Sequence, residues 1–207
     1  MRYAGVMTST TERATAVLAA LATAVVLSSC SGSSSNDEHA AHGNQATTTT
    51  MQPAGYNADD VAFATNMIPH HRQAIGMSAL VAGRSTNPEV IKLASDITAA
   101  QDPEIQTLQV FLVQWNQNPD SNTGHGGHGT AMNGMVDDAT MAKLESLKGT
   151  EFDTLWLQSM IGHHQGAIEM AKAEIANGEN VDAIGMAKNI VSTQEAEIGQ
   201  MKQMLGG

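Results

Sequence analysis

One stretch of this chain occurs twice, and the repeat restricts the fold more than any other feature. Residues 67–77 read MIPHHRQAIGM and residues 160–170 read MIGHHQGAIEM, so 163 − 70 = 93 residues separate the two histidine pairs. The alignment extends without a gap over residues 60–112 and 153–205. A repeat of this length indicates a duplicated structural unit, which has to be recognised before secondary structure is assigned.

Each unit is predicted to consist of two helices. In the first unit, Asn57 is expected to cap a helix that ends near Gly83, and Pro88 is expected to open the next helix. The apolar stripe of that next helix is Ile91, Ala94, Ile97, Ile105, Leu108 and Leu112. Pro69 and Pro103 count against uninterrupted helices, because a proline inside a helix removes a hydrogen bond and kinks the axis.

The second unit is predicted to repeat this arrangement. Thr150 is expected to cap a helix that ends near Gly178, and residues 181–205 are expected to form its partner. A short additional helix is predicted at residues 137–147. Two helical hairpins related by duplication are expected to pack as an all-α four-helix bundle.

The first 30 residues predict export and lipidation. An apolar run from Ala14 to Leu27 follows two arginines, as in an export signal, and it is shorter than the roughly 20 residues that a membrane-spanning helix needs. Small residues then lead into Cys30, the one cysteine of the chain, in a pattern that resembles a bacterial lipobox. We therefore expect a diacylglyceryl lipid on Cys30 that anchors the protein to the outer face of the bacterial cell membrane. The alternative is an ordinary secretory signal with an incidental cysteine.

The predicted organisation follows from changes in composition along the chain. The segments are a lipoprotein signal peptide (residues 1–29), a flexible tether (30–56) and a helical bundle domain (57–207), in which a His/Gly/Met linker (118–136) joins units at about 57–117 and 150–205. With Cys30 lipidated, no thiol remains for a disulfide, a thiolate metal site or cysteine catalysis. The formal net charge of −11 disfavours nucleic acid as a partner.

The repeated motif places its polar side chains on one helix face. At about 100° per residue, Asp60, Met67, His70, His71 and Met77 share a face. The matching residues of the second copy are Asp153, Met160, His163, His164 and Met170. Imidazole and thioether groups on an otherwise apolar inward face are costly unless they find partners.

Two interpretations of this face remain open. The first is a copper site, because imidazole and thioether together suit copper and thioether favours Cu(I). Its candidate ligands are His70, His71, His163, His164, Met67, Met77, Met160 and Met170, and the candidate supporting residues are Asp60, Gln101, Glu104, Asp153, Gln194 and Glu197. The second is a set of core histidines that hydrogen-bond to those glutamines and glutamates, with methionines filling gaps.

The tether and the linker offer a weaker form of metal capture. Flexible tracts rich in His and Met can hold metal ions loosely. The residues concerned are His39, His42, His125, His128, Met132 and Met135. The alternative is that both stretches are polar spacers.

The doubled motif and its lead-in resemble a known family. HHxxAIxM after Met-Ile, its recurrence, and the stretch MAKLESLKGTEFDTLWLQSMIGHHQGAIEMAKAEI are similar to the bacterial domain of unknown function 305 family over about residues 56–205. This resemblance implies an exported, ferritin-like helical bundle and copper binding through the histidines and methionines of the motif. Gly162 stands where the first copy has Pro69, which leaves open whether both halves bind equally.

Three functions of different classes are compatible with these residues. The favoured one is a membrane-anchored, extracytoplasmic protein that buffers or transfers copper, with a copper donor or acceptor protein as its partner. The second is a ferritin-like di-metal oxidoreductase, although neither histidine pair has the Glu three residues earlier that such centres use. The third is a structural or partner-binding helical module. No catalytic residue is predicted, and the sequence does not predict an oligomeric state.

Overall fold

The computed structural model describes residues 55–119 and 133–206, and in this part of the chain helix is the only regular secondary structure. The described elements are α1 (Ala58–Val81), α2 (Pro88–Gln114), α3 (Asp138–Ser146), α4 (Gly149–Asn177) and α5 (Val181–Met204). The predicted leader, the tether and most of the linker lie outside the described residues. The site residues predicted in those segments are Cys30, His39, His42, His125, His128 and Met132.

Two hairpins form the bundle, as the repeat predicts. Helix α1 packs along α2 and α4 packs along α5, while α1 and α4 form the main contact between the hairpins and α3 packs beside them. Helices α1 and α4 run antiparallel: Asp60, at the start of α1, accepts the N–H of Asn180 just beyond α4, and Trp156, in the first half of α4, donates to the carbonyl oxygen of Met77. The all-α four-helix bundle with a short extra helix is therefore confirmed.

Asparagine side chains cap three of the four long helices. Asn57 accepts the N–H groups of Asp59 and Asp60, and the Asp60 carboxylate accepts the N–H of Asn57 in return. Asn87 and Asn180, which are equivalent in the repeat, cap α2 and α5 in the same way. Each cap satisfies backbone donors that the helix itself leaves unpaired, which fixes where the helix begins.

Two details of the predicted helices are wrong. Helix α4 begins at Gly149, so Thr150 lies inside its first turn; the N-cap residue is Lys148, whose side chain makes no capping bond. Ile91, predicted on the apolar stripe of α2, is 45% exposed, because Val90 occupies the inward direction at this level and is fully buried. Pro69 and Pro103 lie within α1 and α2, and both helices continue through them.

A polar layer divides the apolar core at the middle of the bundle. We define this polar layer as His70, His71, Gln101, Glu104, His163, His164, Gln194 and Glu197. One apolar cluster, which includes Met77, Ile97 and Met160, packs on one side of the layer. A second cluster, which includes Met67 and Leu108, packs on the other side. None of the helices that the structure describes is both long and apolar enough to cross a membrane.

Candidate metal centre

The four histidines of the repeated motif are buried at the centre of the bundle. His70, His71 and His164 are fully buried and His163 is 1% exposed. They come from α1 and α4, the two helices at the contact between the hairpins. The inward position predicted for both pairs is therefore confirmed.

The second histidine of each pair bonds to a glutamate of the same hairpin. His71 Nε2 lies 2.8 Å from Glu104 Oε2, and His164 Nε2 lies 2.7 Å from Glu197 Oε2. A carboxylate oxygen only accepts, so Nε2 carries the hydrogen and Nδ1 is the other ring nitrogen to consider. Carboxylates orient metal-binding histidines in this way, by holding the ring nitrogen that does not touch the metal.

The first histidine of each pair lies against its counterpart, with the two rings tilted. The ring centroids of His70 and His163 lie 3.7 Å apart, with 37° between the ring planes. His70 Nε2 donates to the carbonyl oxygen of Asn133 at 3.3 Å, whereas neither ring nitrogen of His163 makes a hydrogen bond within the described residues. Equivalent helix positions therefore supply His70 and His163, but the two side chains differ in their hydrogen bonds.

Burial keeps His70 and His163 uncharged. The pKa of His70 is lowered to about 4, mainly by burial and then by charge repulsion from the neighbouring His71. Burial lowers the pKa of His163 to about 2, with His70 and His164 as the next causes. Both imidazoles are neutral at pH 7, which is the state that a metal ion requires of a histidine ligand.

Several polar atoms of the layer are buried without a partner in the described part of the chain. They are Nδ1 of all four histidines, Nε2 of His163, both polar atoms of the Gln101 side chain and Oε1 of Gln194. A buried polar atom without a partner costs about 1–3 kcal/mol. The interpretation as hydrogen-bonded core histidines thus accounts for the Glu104 and Glu197 contacts, but it leaves one nitrogen of three rings and both nitrogens of His163 without a partner in the described residues.

The candidate methionines flank the layer. Met67, Met77 and Met160 are fully buried in the two apolar clusters, and Met170 is partly buried against the cluster that contains Met67. Within the described residues, no group of three or more His, Cys, Asp or Glu side chains is arranged to hold a metal ion. The donors that the layer and the flanking methionines offer are imidazole nitrogen and thioether sulfur, a donor set that suits copper.

Asp60 and Asp153 lie at the ends of the bundle, away from the layer. Asp60 accepts the backbone N–H groups of Asn57, Glu179 and Asn180. Burial alone would raise its pKa, but these bonds outweigh burial and hold the pKa below its usual value. Asp153 lines a cavity of about 450 Å³ at the opposite end. Of the carboxylates that could supply oxygen to a di-metal centre, Glu104 and Glu197 therefore contact the histidines, whereas Asp60 and Asp153 do not.

The end of the linker, whose role the repeat does not predict, also reaches the layer. We call residues 133–136, the last four residues of the linker, the strap; they include Met135, which was predicted only for weak metal capture and is partly buried. Gln73 of α1 hydrogen-bonds to both the N–H and the carbonyl oxygen of Val136. Gly166 occupies the position of Gln73 in the second repeat, 166 − 73 = 93 residues on, and this departure from the repeat was the available signal.

Fold and site together define the class of this protein: a duplicated helical bundle with a buried histidine cluster where its two halves meet. The chain belongs to the family described as domain of unknown function (DUF305), whose model matches residues 60–205.

Relatives with known structures share both the fold and about a third of the sequence. A DUF305 protein from Streptomyces coelicolor that is inferred to be secreted is 34% identical, with a TM-score of 0.63 over 72% of this chain and 92% of its own. CopM in its Cu(II)-bound form is 32% identical, with a TM-score of 0.62 over 70% of this chain and 94% of its own. Structures of CopM also exist in Cu(I)-bound and Ag-bound forms.

Another relative matches only a short stretch. An uncharacterized protein of Acanthamoeba polyphaga mimivirus is 39% identical over 54 residues, which are 26% of this chain. The chain spans 36% of the length of that relative.

Proposed function

We propose that this protein binds copper in its polar layer, outside the cytoplasmic membrane, and that it buffers or transfers the metal. One observation carries the proposal. Four histidines from two matched pairs are buried together, and each keeps an Nδ1 atom without a hydrogen-bonding partner in the described structure. Because burying such atoms is unfavourable, a ligand that accepts their lone pairs would remove the cost.

The state of the histidines supports a metal ion as that ligand. Burial lowers the pKa of His70 and His163 well below 7, so no proton has to leave these rings when a metal binds. Glu104 and Glu197 hold the Nε2 atoms of His71 and His164, which leaves Nδ1 of each ring as the donor. Arranging the ligands before the metal arrives lowers the entropic cost of binding.

The surrounding atoms favour copper over other metals. Met67, Met77 and Met160 are the buried soft donors closest in sequence to the histidine pairs, and calcium or magnesium would require oxygen ligands instead. CopM, which shares the fold and about a third of the sequence, has been crystallised with Cu(I), Cu(II) and Ag. Similar donors in a similar bundle support copper here.

The proposed location and partners follow from the sequence. Residues 1–29 would direct export, and a diacylglyceryl lipid on Cys30 would retain the protein at the outer face of the cell membrane. The similarity to a Streptomyces coelicolor protein that is inferred to be secreted supports export. A protein that buffers or transfers copper needs a donor or acceptor, and we propose a copper-carrying protein as that partner.

A competition titration against a copper chelator tests the proposal. The variant to compare with wild type replaces His70, His71, His163 and His164 by Ala, with far-UV circular dichroism to verify that the helices persist. A matched control replaces the four histidines outside the described residues: His39, His42, His125 and His128. We expect the first variant to lose tight copper binding and the control to lose only weak, additional equivalents. Wild type that holds no copper, or a bundle variant that holds it as tightly as wild type, would refute the proposal.

A further inference from the structure

The strap is held against the polar layer by equivalent positions of the two repeats, each in its own way. Gln73 donates its Nε2–H to the carbonyl oxygen of Val136 at 2.7 Å and accepts the N–H of Val136 at 2.8 Å. Gly166, its counterpart on α4, lies directly under Asn133: a Cβ atom at position 166 would be 1.9 Å from the Asn133 carbonyl oxygen. One repeat thus binds the strap with a side chain and the other makes room for it.

A second glycine allows the strap to approach α4 this closely. Gly134 has a φ of +84°, a conformation that side chains other than glycine rarely adopt. A Cβ atom there would also lie 2.7 Å from the carbonyl oxygen of Gly162. Asn133 adds a hydrogen bond from its Nδ2 to Glu169 at 2.8 Å. These contacts place the Asn133 carbonyl oxygen within reach of His70.

The strap determines which nitrogen of His70 carries the hydrogen. The Asn133 carbonyl oxygen can only accept, so the 3.3 Å contact assigns the hydrogen of the neutral ring to Nε2 and the lone pair to Nδ1. Glu104 and Glu197 impose the same choice on His71 and His164. Three of the four rings therefore present Nδ1, which is also the atom that makes no hydrogen bond in the described structure.

We propose that the strap is a positioning element of the metal site, an inference that rests on the proposed copper function. Gly166 and Gln73 seat the strap, and the Asn133 carbonyl oxygen fixes the tautomer of His70. Nδ1 is thereby the nitrogen that His70 has left to offer a metal ion, as it is in His71 and His164. His163 has no such partner and can offer either nitrogen. The two halves consequently contribute unequally, because the strap engages His70 alone.

Nitrogen NMR of the metal-free, full-length protein with ¹⁵N-labelled histidine tests the role of the strap. Gly166→Ala pushes the strap away, whereas Gly162→Ala, one turn earlier on the same helix, meets nothing within 4 Å and provides the matched control. We expect His70 to carry its hydrogen on Nε2 in wild type and in Gly162→Ala. In Gly166→Ala we expect a mixture of tautomers for His70, with His71 and His164 unchanged because their glutamates remain.

Two results with metal-free protein would overturn the proposal. One is a wild-type His70 with its hydrogen on Nδ1, and the other is a Gly166→Ala spectrum identical to that of Gly162→Ala. If Gly166→Ala fails to fold, Gln73→Met removes both strap hydrogen bonds without adding an atom beside Asn133. The same change in the His70 tautomer is expected from it, and its absence would equally refute the role of the strap.

Titration with Ag(I), a diamagnetic ion that serves as the probe, tests the coordinating atom. We expect the Nδ1 resonances of His70, His71 and His164 to shift on binding, and Gly166→Ala to bind Ag(I) about tenfold more weakly than Gly162→Ala, as is typical when the partner of a metal ligand is lost. Shifts confined to Nε2 would overturn the assignment. If neither Ag(I) nor copper binds at all, the proposed function fails, while the metal-free spectra still decide whether the strap sets the tautomer.

Discussion

His70 and His163 occupy the same position in the two repeats, and their tilted rings are in contact with centroids 3.7 Å apart. Equivalent residues of two related units can touch only close to the twofold axis that relates them. The approximate twofold axis of the bundle therefore passes through the middle of the polar layer. Each copy of the motif therefore contributes its histidines to the same central region. The pH, the neighbouring glutamates and the neighbouring methionines should each change the stability or the copper affinity of this region measurably.

Acid should destabilise the protein through His70 and His163. In the unfolded chain a histidine has a pKa of about 6.5, whereas burial lowers the pKa of His70 to about 4 and that of His163 to about 2. Their contribution to stability is thus complete above about pH 6.5 and is lost as the pH falls towards these folded-state values. We expect the free energy of unfolding to drop by on the order of 5 kcal/mol between pH 6.5 and pH 4, shared about equally between the two histidines. Urea unfolding at a series of pH values measures this free energy. The His163→Gln variant should lose less stability than wild type over the same pH range. A wild-type stability that does not change with pH would contradict the expectation.

A rise in pH should destabilise the fold through Glu174, whose pKa shifts in the opposite direction. The residue is buried, and burial together with the neighbouring Asp60 raises its pKa to about 8. Because the folded-state pKa is the higher one, stability is complete below the ordinary value of about 4.5 and is lost as the pH rises through about 8.

Glu174→Gln removes the group that has to ionise, so its stability should vary less than that of wild type between pH 5 and pH 9. We expect it to exceed wild type by roughly 2 kcal/mol at pH 9. Thermal unfolding in matched buffers is the measurement, and Glu179→Gln, an exposed neighbour, is the control. Parallel pH profiles for wild type and Glu174→Gln would show that this carboxyl is not the cause.

Removal of Glu197 should affect both stability and copper affinity. Its Oε2 accepts the Nε2–H of the fully buried His164 at 2.7 Å. We expect Glu197→Ala to cost about 1.5–3 kcal/mol of stability, as for other hydrogen bonds to charged groups, and to weaken copper binding about tenfold. Glu195→Ala, which breaks an exposed pair with Lys172, should cost less than about 1 kcal/mol and leave copper affinity unchanged. Equal effects of the two variants would argue against an orienting role for Glu197.

Replacing methionine by leucine should change the affinity for Cu(I) and leave the affinity for Cu(II) unchanged. Met77 and Met160 are fully buried in the apolar cluster on one side of the layer, and leucine has a similar volume. The double variant Met77→Leu/Met160→Leu should therefore lose less than about 1.5 kcal/mol per site in stability. Its affinity for Cu(I) should fall while its affinity for Cu(II) stays the same, because thioether sulfur favours the softer ion. Separate competition titrations for the two ions check this, and an unchanged Cu(I) affinity would remove these methionines from the site.

Cys30→Ser should release the protein from the membrane. The expected diacylglyceryl lipid carries two acyl chains, enough for stable anchoring, and serine cannot form the thioether that attaches them. We expect the wild-type protein in the membrane fraction and the Cys30→Ser variant either in the soluble fraction or unprocessed. Cell fractionation with immunoblotting measures the distribution, and equal retention of both proteins would show that the anchor is something else.

The direction of side chains could be predicted from the sequence, and their depth along the bundle could not. Helical spacing places Asp60, Met67 and His70 on one face, and the structure confirms that this face points inward. Asp60 nevertheless precedes His70 by ten residues, which is about 15 Å along a helix axis. It therefore binds the backbone at the end of the bundle, and only Glu104 and Glu197, which follow their histidines by 33 residues in both copies, reach the rings.

The strap escaped prediction because its determinants are a pair of positions at which the two copies of the motif differ. A glutamine at position 73 and a glycine at position 166 look like ordinary divergence between two copies. Their meaning depends on a third segment, whose backbone bonds to one residue and packs where the other has no side chain. Contacts of this kind depend on tertiary proximity, and helical periodicity carries no information about them.

The contact between His70 and His163 on the twofold axis also indicates how one half of this molecule would behave in isolation. A peptide limited to α1 and α2 would carry one inward face, with its own His70, His71 and Glu104, and would have no α4 to cover it. The surface that α1 offers to α4 closely resembles the surface that α4 offers in return, so two such peptides have the complementarity to associate as a homodimer with His70 against His70. In the intact chain both halves are present at a fixed ratio and at a high effective concentration, because they are covalently joined. The covalent connection also provides the one element that a homodimer of identical hairpins lacks, a single strap that makes one side of the centre different from the other.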